Sequence, residues 1–576
     1  MPLTRPDEKS RVERYLPVVG WLPKYDWGES LRWDLVAGLT VWALLVPEAM
    51  AYAGIAGVPP EAGLYTAPLA LLGYAIFGSS RHLFVGPSST VAILSAATVG
   101  GLVASDAATF WEATSWLAII TGAILVILGL VRMGWIANFM SQPVLDGFIV
   151  GLAITIAVGQ LDKMFGIEAE GQSVVREFLD IIAQIGDWHL GSMAVGFVSL
   201  AVLFLMHKFT PKIPAALTVV IFAILASAAF GFEDAGIHIV GEIPSGLPPI
   251  GLPGWPAGVV LGELIIGALA IVIVGYAESL AAAKEYARKY GYQVDANQEM
   301  IGLGIANLGS GISQGFVVDG SLSKTAAGDS AGQKTQMTGL IAAVITIITI
   351  LFLTGLFFHL PEATLGAIVV HAVWKLIDFH KLRRMLKVRQ EDFYAGLISF
   401  AGVLLLGILE GVILGVVLSL LILIYRASFP SATELGRVEI GDRETYVSFA
   451  DTDDARRTEG VVVHRFDADL IFSNANSFAD SVREMLYESE PQAFAVVLDC
   501  EQMTVIDMTG AMALEELTVE LRDNNVSVHL ARIHGDALAV AHRSGVLDVI
   551  GDTNIHTTVA GAVNAALTAA TTKKED

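Results

Sequence analysis

The chain has 576 residues, 54% of them hydrophobic and 16% charged, with a formal net charge of −23 and a single cysteine, Cys500. A charged share well below the roughly 25% of soluble domains excludes an ordinary globular enzyme and points to a bilayer protein. The acidic balance argues against nucleic-acid binding, and one cysteine excludes a disulfide framework or a cysteine zinc cluster.

Residues 1–33 are polar and lean basic, with no cleaved-signal pattern, so the first apolar run is expected to stay in the mature protein. Apolar runs follow at 35–57, 63–78, 86–104, 116–135, 142–161, 192–207, 214–231, 258–282, 297–313, 320–330, 335–358, 362–376, 391–407 and 409–427. At about 20 residues per complete span, some of these stop midway. They predict a polytopic α-helical membrane domain over 34–428 with about 14 segments. Residues 173–185 read instead as an interfacial amphipathic helix.

Basic residues give the direction of insertion. With a cytoplasmic N-terminus, the inner loops hold Arg81, Arg132, Lys208, Lys212, Lys284, Arg288, Lys289, Lys334, Lys381, Arg383, Arg384, Lys387 and Arg389. The outer loops hold only Lys163 and Arg176. An even number of spans then places both termini inside, in a multi-pass inner-membrane protein.

Two segments depart from simple spans. One opens Gly86-Pro87-Ser88-Ser89-Thr90, and the other runs Asp319-Gly320-Ser321-Leu322-Ser323-Lys324-Thr325. They fall seven segments apart. Interrupted helices at matching places in two halves are the sequence pointer to the site of an inverted-repeat transporter. Two half-helices that begin at mid-membrane aim free N–H groups and partial positive charge at one spot. Ser88, Ser89, Thr90, Ser321 and Ser323 add hydroxyls, and Lys324 adds a full charge about one turn into the second half-helix. The chemistry suits a small anion. The plainer reading of each hydroxyl is a helix cap.

Ionisable residues within spans are functional candidates. Glu48 lies in Pro47-Glu48-Ala49-Met50-Ala51-Tyr52, and Glu278 in Tyr276-Ala277-Glu278-Ser279. Glu278 reads as a proton-coupling carboxylate, or else as the static partner of Lys324. Glu48 is a candidate substrate-site residue, and Tyr52, one turn on, a candidate for the pocket wall. The histidines show no metal spacing, no Walker motif is present, and Gly302-Leu303-Gly304 reads as close packing within a span. No cofactor, metal or catalytic constellation is implied.

Phe429-Pro430-Ser431 breaks the last span. From Ser431 to Asp576 there are 26 acids and 11 bases, against 32 and 24 before it, so the last quarter is a separate acidic unit. Residues 429–436 read as a linker, 437–571 as a small α/β domain and 572–576 as a tail. Strands are expected at 460–466, 493–498 and 526–531, and helices at 477–489, 510–524 and 535–544. Asp507 and Thr509 fit a helix N-cap region.

These motifs together resemble the sulfate permease (SulP) family, bacterial relatives of the animal solute carrier 26 anion transporters. They include Asp34 to Thr40, Pro47 to Ala53, Gly63-Leu64-Tyr65, Phe77 to His82, Val85-Gly86-Pro87, Asn297-Gln298-Glu299, Ala306-Asn307, Gly320 to Thr325 and Gly332 to Thr335. The tail is similar to a STAS domain. The resemblance implies a seven-plus-seven inverted repeat with core and gate domains, an elevator-like movement and a homodimer. It implies that Ser88 and Ser89 open the third-segment part of the anion site, that Ser321, Ser323 and Lys324 form the tenth-segment part with Tyr52 on the first-span face, and that Glu278 is the coupling acid; Thr90 joins the substrate-binding candidates through its hydroxyl. The resemblance places Thr509 where related antagonists carry a phosphorylatable serine.

Many members have Gln at Glu48 and Arg at Lys324. Lys keeps the charge and loses the planar fork that holds an oxyanion at two points. Proton-coupled transport of sulfate leads, with bicarbonate or dicarboxylate transport, an anion channel or exchanger, and a nucleobase permease as alternatives. Ala282, one turn after Glu278, weakens a sodium site there.

Overall fold

The computed structural model describes residues 11–575 apart from 104–105, 140, 169–173, 211–212, 375 and 441–442. Expectations that fall on residues 1–10, 104, 173, 212, 375, 441–442 and 576 therefore lie outside the described residues. Contacts divide the chain into two units, one ending at Ser419 and the other running from Leu420.

In the first unit, α1 (Glu29–Ile55) and α2 (Pro60–Phe77) lead to strand β1 (Val85–Gly86) and the short α3 (Ser89–Gly100), followed by α4 (Ala107–Leu130). After α5 (Gln142–Val158), α6 (Leu190–Phe209) and α7 (Ala215–Phe230), the same order recurs. Helices α8 (Leu261–Tyr290) and α9 (Ala296–Ile312) lead to β2 (Asp319–Gly320), the short α10 (Leu322–Ser330) and α11 (Met337–Phe352). Helices α12 (Glu362–Trp374), α13 (Gln390–Leu406) and α14 (Ile408–Ser428) complete the series. Short helices at Leu161–Phe165, Val174–Ala183 and Phe379–Val388 lie between them.

Among the described residues, six helices are long and apolar enough to cross a membrane, and two of them, Leu190–Phe209 and Ile408–Ser428, are only 22% buried. Their exposed Phe197, Val198, Leu205, Ile413, Val417 and Leu421 suit contact with lipid rather than water.

The helices pack as two groups. Helices α1–α4 and α8–α11 contact one another closely, as do α5–α7 with α12 and α13, and the groups meet chiefly through α1 against α12 and α7. The most extensive contact is α4 on α9. A Cβ on Gly122 would lie 2.6 Å from the Gly304 carbonyl oxygen, and one on Gly304 would lie 2.8 Å from that of Gly122. Backbone meets backbone there, as small residues at membrane helix interfaces allow.

Helix ends depart from the apolar windows where polar chemistry sets them. The run expected from 116 begins at Ala107, because Asp106 caps the helix by accepting from Thr109 N at 3.0 Å. The run expected to end at 282 continues to Tyr290, with Arg288 and Lys289 in its last turn and Gly291 closing it at φ 67°. Basic residues there complement the negative helix end, and glycine takes the left-handed turn without strain.

The second unit carries a six-stranded sheet in the order β4-β3-β5-β6-β7-β8. These are β3 (Ala432–Ile440), β4 (Arg443–Ser448), β5 (Val461–Phe466), β6 (Ala495–Asp499), β7 (Ser527–Ala531) and β8 (Ile555–His556). β3 runs antiparallel to β4 and β5, and the other pairs are parallel. Helices α15 (Ala475–Tyr487), α16 (Met508–Asp523), α17 (Gly535–Arg543) and α18 (Val546–Ile550) cover one face, through Phe478, Leu514, Ala537 and Val546. Helix α19 (Val559–Glu575) covers the other, through Val559, Ala562, Val563 and Ala566. Strand β3 starts within the stretch expected as a linker. Its charged, partly exposed sequence hides the alternation that marks a half-buried strand.

Two histidines sit inside this sheet. His464 is buried, shares a 2.8 Å hydrogen bond with Ser481 and has its pKa lowered by burial to about 4. His529 is lowered to about 4 by burial and by His556 beside it. Both are neutral when folded, whereas an unfolded histidine protonates near about 6.5. Stability should therefore fall as pH drops below about 6.5 and level off below about 4, by up to about 1.4 kcal/mol per pH unit for each histidine. Hydrogen exchange of the Val461–Phe466 amides, corrected for intrinsic rates, should show that loss, and His464→Gln should lessen it.

Candidate functional site

The two interrupted segments meet. β1 pairs antiparallel with β2, Val85 opposite Gly320 and Gly86 opposite Asp319. Ser321 N donates to Phe84 O at 2.9 Å, and Phe84 N donates back to the Thr325 hydroxyl at 2.9 Å. From across the crossing, the Ser279 hydroxyl of α8 accepts from Gly320 N at 2.7 Å. A Cβ on Gly320 would sit 3.0 Å from Ser279 Cα and 2.8 Å from Leu83, which leaves room only for glycine.

Two helices leave this crossing, so their N-termini start side by side. Ser88 caps α3 by accepting from Val91 N, and Ser321 caps α10 by accepting from Lys324 N. The capping role is thus real for both. Ser321 also shares a 3.1 Å hydrogen bond with Ser323, which is exposed. Ser89 and Thr90 are buried in the first turn of α3, with the Thr90 hydroxyl beside the Glu278 carboxyl.

Lys324 is 1% exposed, and its Nζ lies 2.7 Å from Glu48 Oε2, 2.9 Å from the Pro87 carbonyl oxygen and 5.2 Å from the centre of the Tyr52 ring. The static Glu278–Lys324 pair left open by the sequence is not formed. Glu48 takes the lysine because α1 packs against α10 directly, whereas Glu278 projects from α8 beside α3 and the strands. A buried ammonium costs several kcal/mol unless paired, and here an acid, a carbonyl and an aromatic face share it.

Ser88, Ser89, Thr90, Ser321, Ser323, Lys324, Tyr52, Glu48 and Glu278 therefore gather at one crossing. Thr509 does not belong to it. Thr509 is exposed in the first turn of α16, where Asp507 is the N-cap and accepts from Gly510 N at 2.8 Å. Sequence reasoning passed over Asp319, which lies on β2 itself and is 2% exposed. An acid directly after the apolar Phe316-Val317-Val318 carried the same signal as Glu48 and Glu278.

A helical membrane unit with paired half-helices, followed by a mixed sheet, defines a class of anion carrier. Its Sulfate permease family pattern matches residues 31–399, and its STAS domain pattern matches residues 454–562. The chain belongs to the sulfate permease family of transporters and is not an enzyme. It is 36% identical over 541 residues to the "Probable sulfate transporter" of Mycobacterium tuberculosis (strain CDC 1551 / Oshkosh), covering 93% of this chain and 95% of that one. It is 31% identical to the chloroplastic sulfate transporter 4.1 of Arabidopsis thaliana, covering 94% of this chain and 81% of that one. The murine solute carrier 26 family member A9 anion transporter, in its inward-facing state, superposes with a TM-score of 0.88 at 26% identity, covering 97% of each chain. The transmembrane domain of a cyanobacterium bicarbonate transporter shares the fold, with a TM-score of 0.60 at 23% identity over 68% of this chain and 98% of that one.

Removing one partner of a buried ion pair leaves the other charge stranded, at about 3–5 kcal/mol, whereas replacing both is close to neutral. Glu48→Gln and Lys324→Gln should each destabilise the detergent-solubilised protein, and the double variant should recover most of the loss. Thermal unfolding of the three variants checks this. Additive losses would show that the two residues do not interact.

Proposed function

We propose that this carrier moves sulfate, or another small oxyanion, together with protons, and that the anion competes with Glu48 for Lys324. The Lys324–Glu48 ion pair is the observation that carries the reading. Hydroxyls and helix N-termini converge beside the ammonium, which suits an anion, and relatives with closely similar chains are named sulfate transporters. While Glu48 is ionised, an oxyanion at Lys324 would face a carboxylate within a few ångströms. Two like charges 4 Å apart repel by about 4 kcal/mol in a medium of the effective dielectric found near a protein surface. A proton on Glu48 removes that repulsion and frees Lys324.

In this reading Ser88, Ser89, Thr90, Ser321 and Ser323 supply donors to the anion, Tyr52 lines the site and Glu278 carries a coupled proton. The two helix groups suit an elevator-like movement in which α1–α4 and α8–α11 slide past the rest. We take 34–428 as the transport domain and 437–571 as the STAS domain, with the N-terminus and STAS domain cytoplasmic and the chain a homodimer, as the charge bias and the family resemblance suggest. A phosphate on Thr509 would meet the positive end of α16, which makes that residue a candidate for regulation.

Proteoliposomes test the reading. Sulfate uptake should rise when the interior is made alkaline. Bicarbonate, fumarate and chloride, added in competition, should inhibit less than unlabelled sulfate. Glu278→Gln should cut the pH-driven component by about tenfold or more, as loss of a proton-transfer group does. Uptake by Glu278→Gln that still follows the imposed gradient would remove Glu278 from the coupling.

A further inference from the structure

We propose that Asp319 is a second proton-carrying carboxyl of the transport site, loaded and emptied together with Glu278 during each cycle. The proposal rests on the proton-coupled reading above and extends it to a residue on the strand crossing.

The contrast with Asp34 and Glu299, the two acids of this unit buried as deeply, carries the inference. Asp34 accepts from Lys334 N, Thr335 N and its hydroxyl, the Thr338 hydroxyl and Tyr25, at 2.7 to 3.2 Å. Glu299 accepts from Tyr74 and from the backbone of Ser79 and Ser80, at 2.7 to 3.3 Å. Both are permanent helix and loop anchors. Asp319 is buried to the same degree, yet neither carboxyl oxygen makes a well-formed hydrogen bond among the described residues, the Ser88 hydroxyl and its own backbone N–H being the donors beside it. A structural carboxylate left in that condition would cost several kcal/mol. A carboxyl that gains and loses a proton has reason to be kept free of fixed donors.

Its position fits that task. The Asp319 Cβ lies 3.6 Å from where a Cβ of Gly275 would be, an ordinary contact distance that sets β2 against α8 one turn before Glu278. The charged and titratable groups around Asp319 are Glu278 on α8, Lys324 on α10 and Tyr52 on α1, with Glu48 beyond them on Lys324, while from the start of α3 the Ser88 hydroxyl faces Asp319 and that of Thr90 faces Glu278. One ammonium thus stands near both Glu48 and Asp319, and Glu48 already holds it. Behind Asp319 lies a cavity of about 10 Å³ lined by Thr121, Gly275, Ser279 and Asn307. That is room for about one water and not for a hydrated cation.

The test measures, in proteoliposomes of the full chain, the pH gradient that just balances a fixed sulfate gradient. Asp319→Asn should lower the proton-to-sulfate ratio by about one proton, and Asp319→Glu should restore it. A ratio unchanged in Asp319→Asn overturns the proposal, as does a ratio that follows a sodium gradient instead. A wild-type sulfate gradient that no pH gradient moves would overturn the coupled reading itself. Should the asparagine variant not fold, infrared spectroscopy of wild type and Asp319→Glu decides. A protonated-carboxyl band displaced by the substitution supports the proposal, and an unmoved band overturns it.

Discussion

A lysine buried where two helix N-termini meet must find a negative partner, and the crossing of the two interrupted segments is organised around that need. Lys324 stands in the first turn of α10, where the helix already carries partial positive charge. The ammonium adds to that charge rather than opposing it. Glu48, the Pro87 carbonyl and the face of Tyr52 offset the cost in the state seen here. In the proposed reading, an oxyanion that binds there replaces part of this set. The same electrostatic deficit that makes the pair necessary makes the anion welcome.

Holding this arrangement requires a rigid crossing. Two two-residue strands have little strength alone, and they are bolted by hydrogen bonds to side chains of other elements, Ser279 from α8 and Thr325 from α10. Glycine at 320 allows the strand backbone to approach that of α8 at Ser279. The helices around the crossing are pinned in turn by satisfied buried acids, Asp34 and Glu299. A group of helices fixed internally in this way, and joined to its neighbour group mainly through α1, is suited to move as a body.

Much of this was legible in the chain, for identifiable reasons. Apolar runs showed the membrane unit, and the Gly-Pro-Ser-Ser and Gly-Ser-Leu-Ser-Lys openings showed two half-helices, because breaks in apolar periodicity are conspicuous. Which acid Lys324 pairs with was not legible. Glu48 and Glu278 stand 276 and 46 residues from Lys324 in the chain, and only the packing of α1 on α10 decides between them. Asp319 stayed hidden because the Gly-Ser motif beside it drew the eye to hydroxyls. In the second unit, β3 and β4 escaped because charged residues such as Glu439 and Glu444, opposite each other, mask alternation. The Ala- and Thr-rich α19 lacks a strong apolar stripe, although Val559, Ala562, Val563 and Ala566 do form one against the sheet.

The competition between Glu48 and the anion is the claim on which the functional reading turns, and proton uptake on sulfate binding tests it most directly. Calorimetry of sulfate binding to the detergent-solubilised full chain, repeated in buffers of different ionisation enthalpy, counts the protons taken up. Wild type should take up more than Glu48→Gln by about one proton per sulfate, since only wild type must protonate Glu48 to release Lys324. Equal uptake by the two proteins, or none by wild type, would contradict it.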